Sequence, residues 1–238
     1  MAIKNTKLGG TDWSGEATTD YDLNDTFDAA ADYITGLTSF WLNTDLYDVY
    51  DDFDGESTGA FTTNTNWTIT AASGGGGANG YADIVDPSTM GTGKMLTIKA
   101  DDDGAGGPHT ASLTATAKNL TDNLHTYCKW HIRSDAVTEN GTLKGTIKVG
   151  NAIDGYTTIV ELSGISGGGA VQAMTYTGDL FIVAKGSNVY DVYWNWDKTN
   201  LTLSNGLEIQ FIAYISCDYS DGFVYIDIDD VLQSKSSL

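Results

Sequence analysis

Arginine occurs once in this chain, at Arg133, proline and cysteine twice each, and no apolar run is long enough to span a bilayer. Each shortage excludes something. With 12 basic residues against 32 acidic ones, a formal charge of −20, the surface repels phosphate backbones and anionic lipid, which counts against nucleic-acid and membrane-surface binding. A membrane-spanning helix needs about 20 consecutive apolar residues, and none is offered. The opening MAIKNTKLGGTDWSGEATTD has no apolar core of signal-peptide length, which predicts a chain made in the cytoplasm. Cys128 and Cys217 fall in separate strand-like runs, so buried thiols are expected rather than a disulfide, and their spacing has no metal pattern. His109, His125 and His131 are the only histidines and show neither zinc-ligand nor nucleophile spacing. Glutamate is scarce and aspartate is everywhere, so no base and nucleophile pair stands out. No catalytic residue is assigned, and the expectation is a protein that is not an enzyme.

What the chain has in plenty is glycine (28 residues), threonine and aspartate, with 41% hydrophobic and 11% aromatic content. That composition favours many short strands joined by open turns. The clearest periodicity lies in residues 207–232. Leu207, Ile209, Phe211, Ala213 and Ile215 fall on one face of a first run, opposite Gln210, Ile212, Tyr214 and Ser216. Val224, Ile226 and Ile228 alternate with Tyr225, Asp227 and Asp229 in a second run, and Asp218, Ser220, Asp221 and Gly222 form a turn between them. This reads as an antiparallel strand pair with one buried and one wet face. Further strands are expected around 60–70 and 94–100. ASLTATA, HTYCKWHI, GTLKGTIKVG, GYTTIVEL, AVQAMTYT, DLFIVAK and NVYDVYWNW come next, each closed by a turn signal. In residues 142–149, Leu143, Ile147 and Val149 face one way and Thr142, Lys144, Thr146 and Lys148 the other. About ten closely spaced strands without helical interludes predict a mainly β fold, a two-layer antiparallel β-sandwich of jelly-roll type over residues 51–238.

Residues 1–50 differ. A polar, Gly-rich arm with Trp13 leads into a stretch in which Leu23, Phe27, Ala30, Ile34, Leu37 and Trp41 recur at spacings of three and four. That is the rhythm of an associating helix, expected over about 20–35, with Asp20, Asp22 and Asp25 complementing the dipole of its first turn. Two readings are open: the helix packs on its own β domain, or it joins chains, in which case Trp13, Leu23, Phe27, Ile34, Leu37 and Trp41 are the candidate assembly anchors.

Two kinds of binding site suggest themselves in the β region. NVYDVYWNW places Tyr190, Trp194 and Trp196 on one strand face, beside polar Asp191 and Asn195, a pattern suited to stacking on sugar rings. A row of aromatics in a sandwich equally suits its core. Asp101, Asp102 and Asp103 before a glycine-rich loop, and Asp227, Asp229 and Asp230 near the end, are oxygen-rich clusters that suit a structural calcium ion. No other cofactor is expected.

NTKLGGTDWSGE followed by DYDLNDTFDAAADYI resembles the amino-terminal segments of structural and tail-fibre-like proteins of tailed phages and related viruses. The DDFDG opening and VYIDIDDVL ending of the remainder are similar to the concanavalin-like or carbohydrate-binding jelly rolls that such viruses carry as decoration and receptor-binding modules. The resemblance implies a virion protein that forms a homo-oligomer, commonly a trimer. It would contact other virion proteins through its amino-terminal region and display the sandwich, with host-surface glycan as a further partner. A stand-alone carbohydrate-binding module is the alternative.

Overall fold

The computed structural model describes residues 47–238 apart from 75–77, 92, 103–107, 135–140, 167–172, 195–196, 219–221 and 236–238. The chain divides into two units, residues 1–46 and 47–238. The expected arm, helix and anchors Trp13, Leu23, Phe27, Ile34, Leu37 and Trp41 lie outside the described residues.

The second unit consists of strands β1 (Tyr47–Asp51), β2 (Gly59–Ala60), β3 (Trp67–Gly74), β4 (Ala78–Val85), β5 (Met95–Asp102), β6 (Pro108–Leu120) and β7 (Thr126–Ser134). After these come β8 (Gly141–Asn151), β9 (Gly155–Ser166), β10 (Met174–Ala184), β11 (Val189–Trp194), β12 (Asp197–Thr202), β13 (Leu207–Asp218) and β14 (Gly222–Ser234). They form two antiparallel sheets. The nine-stranded sheet runs β12-β11-β10-β7-β14-β5-β4-β2, with β1 also paired to β14; the five-stranded sheet runs β3-β6-β13-β8-β9. The expected β-sandwich is the observed fold.

Strands β13 and β14 overturn one expectation. They are not a paired hairpin: β13 lies between β6 and β8 in one sheet, and β14 between β7 and β5 in the other. Each has an apolar stretch on one face, and the two stretches meet across the core instead of sharing a ladder. Phe211, Ala213 and Ile215 are buried on one side, and Val224, Ile226 and Ile228 on the other. The division read for residues 142–149 holds, with Leu143, Ile147 and Val149 fully buried.

Strand β10 also differs from expectation. The Gly178-Asp179 pair resembles a turn, yet β10 runs through it unbroken. Gly178 is needed there because a Cβ would stand 2.7 Å from the Trp130 ring, which crosses it. At Gly145 a Cβ would meet the Ile132 side chain at 2.2 Å, so the two sheets close tightly where β8 crosses β7. An aromatic chain seals the other end: Phe53 to Trp67 at 5.6 Å and Trp67 to Phe211 at 6.1 Å between ring centres. Trp67 Nε1 donates to Asp51 at 2.8 Å, which satisfies an indole N–H on a fully buried residue.

Candidate functional site

The registers of the nine-stranded sheet set its outward side chains in rows that cross the strands. One row contains Tyr81 (β4), Lys99 (β5), Tyr225 (β14), Arg133 (β7) and Thr175 (β10). The next contains Asp83, Thr97, Asp227, His131 and Thr177 on the same five strands. No single segment encodes either row; each strand contributes one residue to each.

At the centre Asp227 is 0% exposed although it points away from the core. Burial on a solvent side demands partners. Thr97 Oγ1 donates to its carboxylate at 2.7 Å and Arg133 Nε donates at 2.9 Å, with Nη2 at 3.5 Å. The Arg133 guanidinium lies 4.1 Å from the centre of the Tyr225 ring, so the lone arginine is fixed by an ion pair and by stacking at once. His131 Nδ1 is 3.6 Å from Asp227, but burial lowers the imidazole pKa by more than Asp227 raises it, and Arg133 lowers it further. The ring is therefore neutral at neutral pH, and Asp227 depends on Arg133 for its counter-charge.

Beside this centre, the Lys99 ammonium sits 5.1 Å from the Tyr81 ring centre, 5.1 Å from that of Phe223 and 5.3 Å from that of Tyr225, and bonds to Asp101. Burial pulls its pKa down, while the bonds to Asp101 and Tyr81 outweigh it and hold the pKa above the usual lysine range. Tyr81 remains 38% exposed, one of four large apolar side chains open to solvent among the described residues.

The segment between β4 and β5 meets the far end of these rows. Ser88 Oγ donates to Asp229, and Lys129 Nζ donates to the Met90 carbonyl and lies 3.4 Å from Asp229. Burial, then the nearby Asp229 charge, pushes the Asp230 carboxyl up to about 6. On the other flank Tyr127 Oη donates to Asp179 at 2.8 Å. The result is a strip of outward side chains, the trough, with fixed donors and acceptors along it and aromatic rings at one end.

The aromatic row expected as a glycan platform lies elsewhere. Tyr190 is fully buried and donates its hydroxyl to the Asp122 carbonyl at 2.7 Å. It cannot act as an exposed platform, because its side of β11 faces the space between the sheets. Trp194 is half-buried on that same side, 6.4 Å from Trp130 and 5.7 Å from Tyr176 between ring centres. Trp196 lies outside the described residues. Of the carboxylates proposed for calcium, Asp101 is engaged by Lys99, Asp227 by Arg133, and Asp229 by Ser88 and Lys129. Asp103 and the side chain of Asp102 lie outside the described residues, among which no group of three or more His, Cys, Asp or Glu side chains is placed to hold a metal. Asp227 and Asp229, expected on a wet face, are buried.

Sequence reasoning passed over Tyr81, Lys99, Arg133, Phe223 and Tyr225. The one available signal was the alternation of Lys129, His131 and Arg133, which sets three nitrogen side chains on one strand face.

No protein-family model and no curated protein matches the chain. Solved structures similar to it include the enzymatically active domain of tailspike protein 4 of bacteriophage CBA120, at 13% identity and a TM-score of 0.36. That likeness covers 83% of this chain and 23% of the tailspike chain, so the chain spans about a quarter of that protein's length. A family 11 carbohydrate-binding module from Clostridium thermocellum, in complex with a β-1,3-1,4-mixed-linked tetrasaccharide, is 14% identical at a TM-score of 0.31, over 80% of this chain and 96% of that one. A glycosyl hydrolase family protein from Mycobacterium fortuitum is 14% identical at 0.37, over 76% and 99%. Likenesses this distant carry no functional argument.

Proposed function

We propose that the sandwich is a non-catalytic glycan-binding domain whose site is the trough on the open face of the nine-stranded sheet, lined by Tyr81, Lys99, Arg133, His131 and Tyr225, with Asp227 buried beneath them. The observation that carries this reading is the fully buried, multiply bonded Asp227 on the solvent side of a sheet. A carboxylate held there by Arg133 and Thr97 fixes the arginine's fork in one plane. Pre-set donors and acceptors lose little freedom when sugar hydroxyls replace water. Tyr81 supplies an open ring for stacking on the C–H face of a pyranose. Every cation of the floor is matched by a carboxylate: Arg133 by Asp227, Lys99 by Asp101 and Lys129 by Asp229. Such balance suits a neutral, hydroxyl-rich ligand better than a charged one.

A glycan array probed with the full chain tests this. Retention of a neutral glycan that Tyr81→Ala weakens at least tenfold is the expected result. An array that stays silent, or a Tyr81→Ala variant that binds as the parent does, overturns it.

The sequence supports a wider setting for the domain. Its phage-like amino-terminal segment and the spacing of Leu23, Phe27, Ile34, Leu37 and Trp41 argue for display on a virion as a homo-oligomer assembled in the host cytoplasm. A native mass equal to one chain at high concentration, together with no association with particles, would remove that part of the proposal.

A further inference from the structure

The two sheets are of unequal width, and the mismatch falls at one end. Strand β7 packs over β8 and β10 over β9, after which the nine-stranded sheet continues through β11 and β12 while the five-stranded sheet stops at β9. The overhang leaves an apolar shelf. Among the described residues ten apolar side chains are only partly buried against the core, and six of them lie on these four strands: Ile159 and Leu162 on β9, Met174 and Tyr176 on β10, Trp194 on β11 and Leu201 on β12, with Tyr176 and Trp194 in ring contact. Behind them Trp130 is fully buried, and its Nε1–H has no acceptor among the described residues.

The edge of β9 that overlooks this shelf has little to discourage a partner strand. Exposed edges are normally guarded by charge, brevity or bulges. In the nine-stranded sheet, edge strand β2 has two residues, and edge strand β12 carries Asp197 and Lys198. Strand β9 runs for 12 residues with one ionisable side chain besides Tyr156, Glu161. Its single irregularity is the register shift opposite Ile147 and Lys148, which leaves Val160–Ile165 as a regular stretch. Ile165, at the end of that stretch, is 72% exposed.

We infer that the β9 edge together with the β11–β12 overhang is a docking site for one extended segment of another polypeptide, added as a sixth strand to the smaller sheet. A second copy of this chain does not fit through its own β9. The overhang extends two strands, roughly 10 Å at about 4.8 Å per strand, into the space that the partner's larger sheet would occupy. A single strand does fit: its backbone pairs with Val160–Ile165, and alternate side chains enter the shelf against Leu162, Tyr176 and Trp194. Its outward side chains stand beside Ile165 and Glu161, an exposed carboxylate that Lys144 approaches at 3.3 Å and that a second cation can join. The matching sequence therefore has apolar residues at alternate positions and lysine or arginine between them, which also suits a chain of charge −20.

The probe is a fluorescent octapeptide of alternating valine and lysine, compared with a peptide of the same composition in two blocks, each titrated into the full chain. Expected are binding of the alternating peptide at least tenfold tighter than of the block peptide, and at least tenfold slower amide exchange over 160–165 on saturation. Trp194→Ala should weaken binding tenfold or more. In case that variant unfolds, Glu161→Lys, on the exposed edge, should shift preference to a valine and glutamate alternating peptide. Equal binding of the block peptide, unchanged exchange over 160–165, or an unaltered preference in Glu161→Lys each overturns the inference. Glycan retention in the trough is a separate readout, which either result leaves intact.

Discussion

The two sheets each turn one face to solvent, and those faces are built on opposite principles. On the five-stranded sheet, paired strands set Thr68, Thr116 and Gln210 in one row, Thr70, Thr114 and Ile212 in the next, and Ser112 beside Tyr214 in a third. Its ion pair, Lys144 to Glu161 at 3.3 Å, is between side chains 35% and 42% exposed. Such a pair contributes about 0.2–1 kcal/mol at most. On the nine-stranded sheet Arg133 and Lys129 pair with carboxylates 0% and 6% exposed, and Arg133 and Lys99 lie against aromatic rings. The first face is a strand surface of good β-formers meeting water. The second holds polar groups out of water at a cost in desolvation, and a cost borne at one place on a surface points to a use for it.

The sharpest way to break this contrast is to remove Asp227. Asp227→Ala leaves the Thr97 hydroxyl without its acceptor and Arg133 without its counter-charge, and should cost about 3 kcal/mol in a denaturant titration. Glu161→Ala on the other face should stay within about 0.5 kcal/mol. Equal losses would mean that the two faces do not differ in kind. A smaller effect is expected of Thr97→Val, which keeps the shape and deletes one bond to a buried carboxylate, with a loss of roughly 1–3 kcal/mol.

The third test depends on pH. The Asp230 carboxyl, raised to about 6 in the fold against 3.8 unfolded, binds a proton more readily when folded. The native state therefore carries more protons than the unfolded chain between those values, and stability falls as pH rises through that window. Asp230→Asn removes the penalty. It should raise stability at pH 7 by on the order of 1–2 kcal/mol after allowance for partial exposure, and by almost nothing at pH 4. Thermal melts of both proteins at the two pH values check it, and a gain of the same size at both would disprove the assigned cause.

Much of the sandwich was legible because period-two alternation reports directly which side chains face inward. The inward residues of β13 and β8 were identified correctly from spacing alone. Pairing was not legible, since alternation says which face is apolar and nothing about which strand lies alongside. That is why β13 and β14 read as a hairpin although they oppose each other across the core. β4 was missed because it comes after a glycine run that reads as loop, and Tyr81 was lost with it. The trough was invisible for a related reason: Tyr81, Lys99, Tyr225 and Arg133 lie far apart in sequence and become neighbours only through register. Tyr190 misled because a buried tyrosine and a sugar platform look alike until exposure is known.

The fixed arginine has one more consequence. A polypeptide with a single guanidinium carries a single address for arginine-directed reagents such as phenylglyoxal, and here that address is the floor of the trough. The extent of labelling at Arg133, read by mass spectrometry of the intact molecule, is thus a gauge of whether the trough is open or filled, without any engineered probe.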